Sequence, residues 1–237
     1  MVEYDRMWLA IQRSPFMGVY FSELYWLARH VEEDTTRIFD DTPPLTRPGE
    51  GYIRVDHALH GRILAVLLAA ARIRALLRFR NRDSSRAQRE VLARRTAALL
   101  QVLDGVDLAP ILDGAARNSI EHFDEYVDDA AVQSYLGAIP RPTLFAVDMV
   151  LNTRSVLRQF DVSGKRPTIY FIRAYIADER VFSNCSRELR MEPLRDCCSM
   201  IRQRVEPLLP DFAREEPGGS MLVITATSFS GGDGMNS

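Results

Sequence analysis

The sequence predicts an α+β chain, mainly α. An antiparallel helical bundle fills residues 1–137. A small antiparallel β meander and a final helix occupy 138–212, and a flexible tail covers 213–237. Three observations lead there. Apolar residues recur at helical spacing through the first half, most clearly over 53–80. Pro140 and Pro142 then break the pattern, and short runs rich in β-branched and aromatic residues follow. Helical periodicity returns from Met191 to Leu209.

In chain order, Tyr4, Met7, Trp8 and Ile11 start a helical stripe. Ser14-Pro15 restarts it as a cap followed by a first-turn proline, and Val19, Leu24, Leu27, Ala28 and Val31 carry it to about residue 38. Residues 40–50 hold three prolines and a glycine and read as a loop. Ile53, Leu59, Ile63, Val66, Leu67, Ala70, Ile73, Leu76 and Leu77 form a broad apolar stripe made largely of strong helix formers. Ser84 or Ser85 caps the next helix, expected over 86–103 and stopped by Asp104-Gly105. One further helix is expected over 108–136. Beyond it, Thr143–Leu151, Val156–Val162, Thr168–Ile176 and Arg180–Asn184 read as strands, with Ser163–Pro167 as a hairpin loop.

Composition excludes several classes. The 237 residues are 46% hydrophobic and 26% charged with a net charge of −2, as in ordinary globular proteins. The longest uncharged apolar run, Ile63–Ala71, is far short of the ~20 residues of a membrane span, so no membrane partner is expected. The acidic N-terminus does not resemble a secretory signal, and three cysteines, two of them adjacent, do not suit a disulfide framework. A reducing, cytoplasmic setting is the expectation. No cysteine pair has zinc-site spacing, and neither a metal nor a cofactor is expected.

Charge is unevenly spread. Lys165 is the only lysine among 30 cationic residues; the other 29 are arginines. Between Arg62 and Arg95, ten arginines face two acids, a net of +8; between Asp104 and Asp129, eight acids face Arg117 alone, a net of −7. The two blocks either neutralise each other in the fold or the basic one is a footprint for nucleic acid, with Arg74, Arg78 and Arg82 as its RNA-binding candidates.

The most informative stretch is ARNSIEHFDE, Ala116–Glu125, with Arg117, Asn118 and His122 in the pattern Arg-polar-x3-His. Arg54 and His60 have similar spacing, but no polar residue follows that arginine. Over residues 50–135 the chain resembles the HEPN superfamily of helical bundles, marked by an Arg-x4-6-His motif with a polar residue after the arginine. It is similar to the bacterial branch whose motif runs on into EHFDE. The resemblance implies a homodimer with both motifs facing one cleft, a metal-independent endoribonuclease, an RNA substrate, and an antitoxin or regulatory protein restraining a toxin or defence effector. Helical geometry puts Asn118 and His122 on one face, while Arg117 diverges from His122 by about 140°. Cleavage by the ribose 2′-OH needs a group titrating near neutrality, a permanent cation for the phosphorane and a polar orienter. His122, Arg117 and Asn118 fill those catalytic roles, and Glu121 and Asp124 tune the imidazole. A non-catalytic HEPN-like dimer serving as a binding or regulatory module is the other reading. There, Arg117 pairs with Glu121 and His122 belongs to an interface network.

Other signals are weaker. His57 and His60 stand i, i+3 without a third metal-ligand motif. Ser163-Gly164-Lys165 lacks the first glycine of a phosphate loop. Cys197-Cys198, on an amphipathic helix, reads as packing, and Tyr20, Phe21, Tyr25 and Trp26 as core or dimer interface.

Overall fold

The computed structural model describes residues 15–43, 51–78, 85–114, 118, 121–139, 143–159, 168–185, 187–210 and 214. The helical start before Ser14, the Ser163–Pro167 loop and the tail from Glu215 lie outside the described residues. The fold is α+β and mainly α.

Helix α1 (Pro15–Asp41) starts at the proline marked by the sequence. Leu24, Ala28, Val31, Thr35 and Ile38 alternate steps of four and three, and all five are fully buried. The helix lies between α2 (His57–Leu77) and α6 (Met191–Val205). On α6 the buried face is Met191, Leu194, Cys198, Ile201 and Val205, at the same spacing. A polar clasp rims this contact: Arg202 Nε lies 2.6 Å from Glu32, which also accepts from Ser199 Oγ at 3.0 Å. One hydrophobic cluster consequently runs from Met17 to Leu209 and includes residues from both sides of position 137. Burial pushes the Cys197 thiol up to about 12 and Cys198 well above its ordinary value. Both are free thiols packed in the core, as the amphipathic pattern suggests.

Strand β1 (Ile53–Val55) occupies residues expected to begin α2. Asp56 explains the difference. Its carboxylate accepts from Leu59 N at 2.9 Å, capping the helix at His57 and leaving Ile53–Val55 free to pair. Helix α3 (Arg86–Val102) is capped by Ser85, with the reciprocal bond from Ser85 N to Gln88 Oε1 at 2.8 Å. The single helix expected over 108–136 is interrupted; among the described residues it includes α4 (Ala109–Leu112) and α5 (Phe123–Tyr135). The break includes Gly114, whose φ of +86° no continuing helix accommodates.

The sheet is mixed, not the antiparallel meander expected. Strands β3 (Met149–Leu151), β5 (Arg173–Ile176), β6 (Val181–Asn184) and β7 (Arg187–Arg190) join β1 in the order β1-β3-β5-β6-β7. Only β5-β6-β7 meanders; β3 and β5 are parallel. A separate parallel pair, β2 (Thr143–Ala146) and β4 (Thr168–Phe171), precedes them. Thr143 pairs with Thr168 and Met149 with Ala174, so one register persists across the gap. The two long runs are thus a single parallel ribbon interrupted at Val147-Asp148 and Ile172. Parallel pairing requires a crossover out of the sheet. Accordingly Arg154–Gln159, overlapping the expected strand Val156–Val162, is a 3-10 helix whose Val156 is buried in a second cluster with Leu151, Phe171 and Ile176. The strand Arg187–Arg190 was not expected.

His60 is buried on α2 with its ring 6.2 Å from Phe182 and Nδ1 3.0 Å from the Asp56 carbonyl. Burial lowers its pKa, outweighing the Asp56 hydrogen bond. The unfolded chain therefore takes up this proton first as pH falls below about 6.5, and folding stability drops with it. Denaturation between pH 7 and 5.5 should show such a loss, at most about 1.4 kcal/mol per pH unit, and His60→Gln should flatten it.

Candidate functional site

The motif segment lies where α4 gives way to α5. Asn118 N donates to Gly114 O at 2.9 Å, His122 N to Asn118 O at 3.3 Å, and Tyr126 N to His122 O at 3.0 Å. Asn118 and His122 are therefore one helical turn apart, as the spacing predicts. The motif is not mid-helix, however: His122, with ψ of 24°, is the N-terminal cap of α5. Arg117 lies outside the described residues. The His122 side chain is 37% exposed, and its Nδ1 lies 3.1 Å from Glu125. Glu121 and Asp124 are exposed; the carboxylate placed at the imidazole is Glu125, one turn along the helix.

Two of the three expected RNA-binding arginines, Arg74 and Arg78, are described, one turn apart at the end of α2. Arg74 is buried, and its Nε donates to the Leu112 carbonyl at 3.2 Å, closing the end of α4. Arg78 is exposed where α2 ends, its carbonyl accepting from Arg95 at 3.4 Å; Arg82 lies outside the described residues. Within the same basic block, Arg62 pairs with Asp41 and Arg72 with Glu23, both on α1.

Among the described residues, cations approach this segment from the sheet. Arg187 lies 4.0 Å above the Tyr126 ring and Arg173 lies 5.1 Å from the Phe123 ring. The rings of Tyr126 and His122 are 6.3 Å apart. Register makes this a row: Arg173 opposes Asn184, and Asn184 opposes Arg187, so all three share one face. Among the described residues Arg187 pairs with no carboxylate. Arg173 meets Asp148, Nε to Oδ1 at 2.8 Å and Nη2 to Oδ2 at 3.1 Å. The same carboxylate lies 3.1 Å from Nδ1 of His57. Asp148 has φ of +53° and Cys185, in the β6–β7 turn, +47°. Sequence reading missed Arg173, Arg187, Asp148 and Glu125. Only Glu125, i+3 from His122, had a local signal.

A hollow of about 590 Å³ between α1 and α6 is less suited to a ligand, because its charges are already matched: Arg29 with Glu33, and Arg202 with Glu32 and Glu206. No helix among the described residues is long and apolar enough to cross a membrane.

The Gly114 position ties the motif segment to Arg74. A Cβ there would sit 2.9 Å from the buried guanidinium, in a left-handed conformation that costs a side chain about 1–2 kcal/mol. Gly114→Ala should lower stability by at least that amount in chemical denaturation, whereas Gly61→Ala, with open space around its Cβ, should not. No family model, curated protein or solved structure matches the chain.

Proposed function

We propose that the chain is a metal-independent endoribonuclease of HEPN type that cleaves single-stranded RNA and acts as a toxin or defence effector. The observation that carries this reading is the His122 imidazole, half-exposed at the start of α5, with Glu125 3.1 Å from its Nδ1 and Arg187 beyond Tyr126. With Glu125 on the Nδ1 side, Nε2 is the ring nitrogen left for substrate. His122 transfers the proton. Arg117, by the family resemblance, and Arg187, by position, grip the scissile phosphate and stabilise its developing charge. Asn118 orients the imidazole or a phosphate oxygen. The products are a 2′,3′-cyclic phosphate and a 5′-OH.

Arg187 also answers an electrostatic objection, since the −7 segment around His122 repels RNA unless cations from elsewhere approach it. A homodimer is part of the proposal. Tyr135 and Leu136 at the far end of α5 are 89% and 71% exposed, an apolar surface that a second copy would cover. The same surface favours the second reading, a non-catalytic dimer serving as a binding or regulatory module. An antitoxin or regulatory protein would restrain the active form.

Purified protein should cut single-stranded RNA in EDTA. His122→Ala and Arg117→Ala should slow cutting by about 10²–10⁴-fold with unchanged circular dichroism, and Arg187→Ala should raise KM. Cutting that persists in both motif variants, or stops on chelation, rejects the mechanism. Intact RNA with wild-type protein and no growth arrest on expression selects the binding module.

A further inference from the structure

We propose that His57, held by Asp148, is a second proton-transfer group of the same site, so that cleavage uses two imidazoles on either side of Arg173 and Phe123. The inference rests on the ribonuclease reading. Its geometric basis is a chain of contacts among elements far apart in sequence. His57 Nδ1 lies 3.1 Å from Asp148, Asp148 lies 2.8 Å from Arg173, and Arg173 lies 5.1 Å from the ring of Phe123, the residue after His122. These contacts link the start of α2 to the start of α5 through the corner between β2 and β3.

That corner is built to hold an imidazole. The Asp148 carboxylate is only 13% exposed, accepts a hydrogen bond from Arg173 Nη2 at 3.1 Å and lies 2.8 Å from Arg173 Nε as an ion pair. Its backbone carbonyl accepts from Asp56 N at 3.2 Å, tying the corner to the start of α2. His57 is 78% exposed, so its ion pair adds little to folding. What the pair does fix is ring orientation, with Nε2 turned away from the carboxylate. His60, one turn along α2, is buried and cannot serve. A left-handed aspartate at the centre of the cluster is the type of local strain found at functional sites.

The two carboxylate-imidazole pairs, His57–Asp148 and His122–Glu125, suit an in-line phosphodiester transfer. One imidazole accepts the proton of the 2′-OH as the O2′–P bond forms. The other, protonated, gives its proton to the 5′ oxygen as the P–O5′ bond breaks. The two imidazoles end with exchanged protonation states, and water restores them. Arg173 is a positioning residue here, since Asp148 neutralises it, and Arg187 remains for the phosphate.

The charged groups around His57 are Arg54 and Asp56, paired at 3.1 Å, with His60, Asp148 and Arg173. The test uses the full chain on single-stranded RNA in EDTA. His57→Asn should lower kcat by about 10²–10⁴-fold with KM within about twofold, leave the thermal midpoint unchanged, and remove one limb of a bell-shaped pH profile. Asp148→Asn should reproduce the altered profile. RNA with a 5′-bridging sulfur, whose thiolate leaves without a proton, should rescue either His57→Asn or His122→Asn and not the other. Wild-type kcat and a full bell in His57→Asn, while His122→Ala is inactive, overturns the two-imidazole scheme and leaves the ribonuclease reading standing. Rescue of neither or both variants also overturns it. Absence of cutting by the wild type overturns both.

Discussion

The burial of α1 between α2 and α6 is the constraint on which the other elements depend. A helix with Leu24, Ala28, Val31, Thr35 and Ile38 all fully buried needs a covering layer, and both neighbouring helices supply one. Each fully buried Leu, Val or Ile is worth about 1.5–3 kcal/mol relative to exposure. The stripe therefore far outweighs any single surface ion pair, which is typically worth ~1 kcal/mol or less. The Glu32–Arg202 clasp then sets the azimuth of α6 on α1 rather than its strength of attachment. Because β7 runs directly into α6, fixing α6 fixes the sheet, and Tyr175 and Phe182 close over the same cluster.

From that placement the rim of the sheet acquires its chemistry. The parallel ribbon keeps one register through its break, so Asp148 faces Arg173 at the matching position. The interruption is what makes this useful. A continuous strand would send alternate side chains to opposite faces of one sheet, whereas the left-handed turn at Asp148 swings its carboxylate toward both Arg173 and the first residue of α2. Two hairpins then carry Arg187 into line with Arg173, beside the aromatic residues that open α5.

What the sequence revealed follows from the range of the interactions. Helical stripes are local and dense, so the helices over 15–41, 57–77, 86–102 and 191–205 were legible to within a few residues, with the exception of Ile53–Val55. That strand is three residues long, and its partner β3 lies about a hundred positions away. The break at Gly114 had a signal, the Asp113-Gly114 pair, which the surrounding periodicity overrode. In the site, Asn118 and His122 were placed correctly relative to each other because i, i+4 geometry is intrinsic to the helix. The burial of Arg74, an RNA-binding candidate by its place in the basic block, was not legible because it is set by α4, which folds over it. His57 looked like an isolated metal candidate because its carboxylate, Asp148, arrives through sheet register 91 residues later.

The helix that covers α1 is also made long after it. About 150 residues separate Asp41 from Met191. At roughly 5–20 residues per second, a ribosome needs on the order of 10–30 s to bring α6 into reach. Throughout that interval the nascent chain displays an apolar ridge with one flank uncovered. Helix α2 emerges first and shields the other flank, so the early chain is a half-covered hairpin awaiting its C-terminal lid. A chain halted before Met191 therefore keeps that ridge exposed.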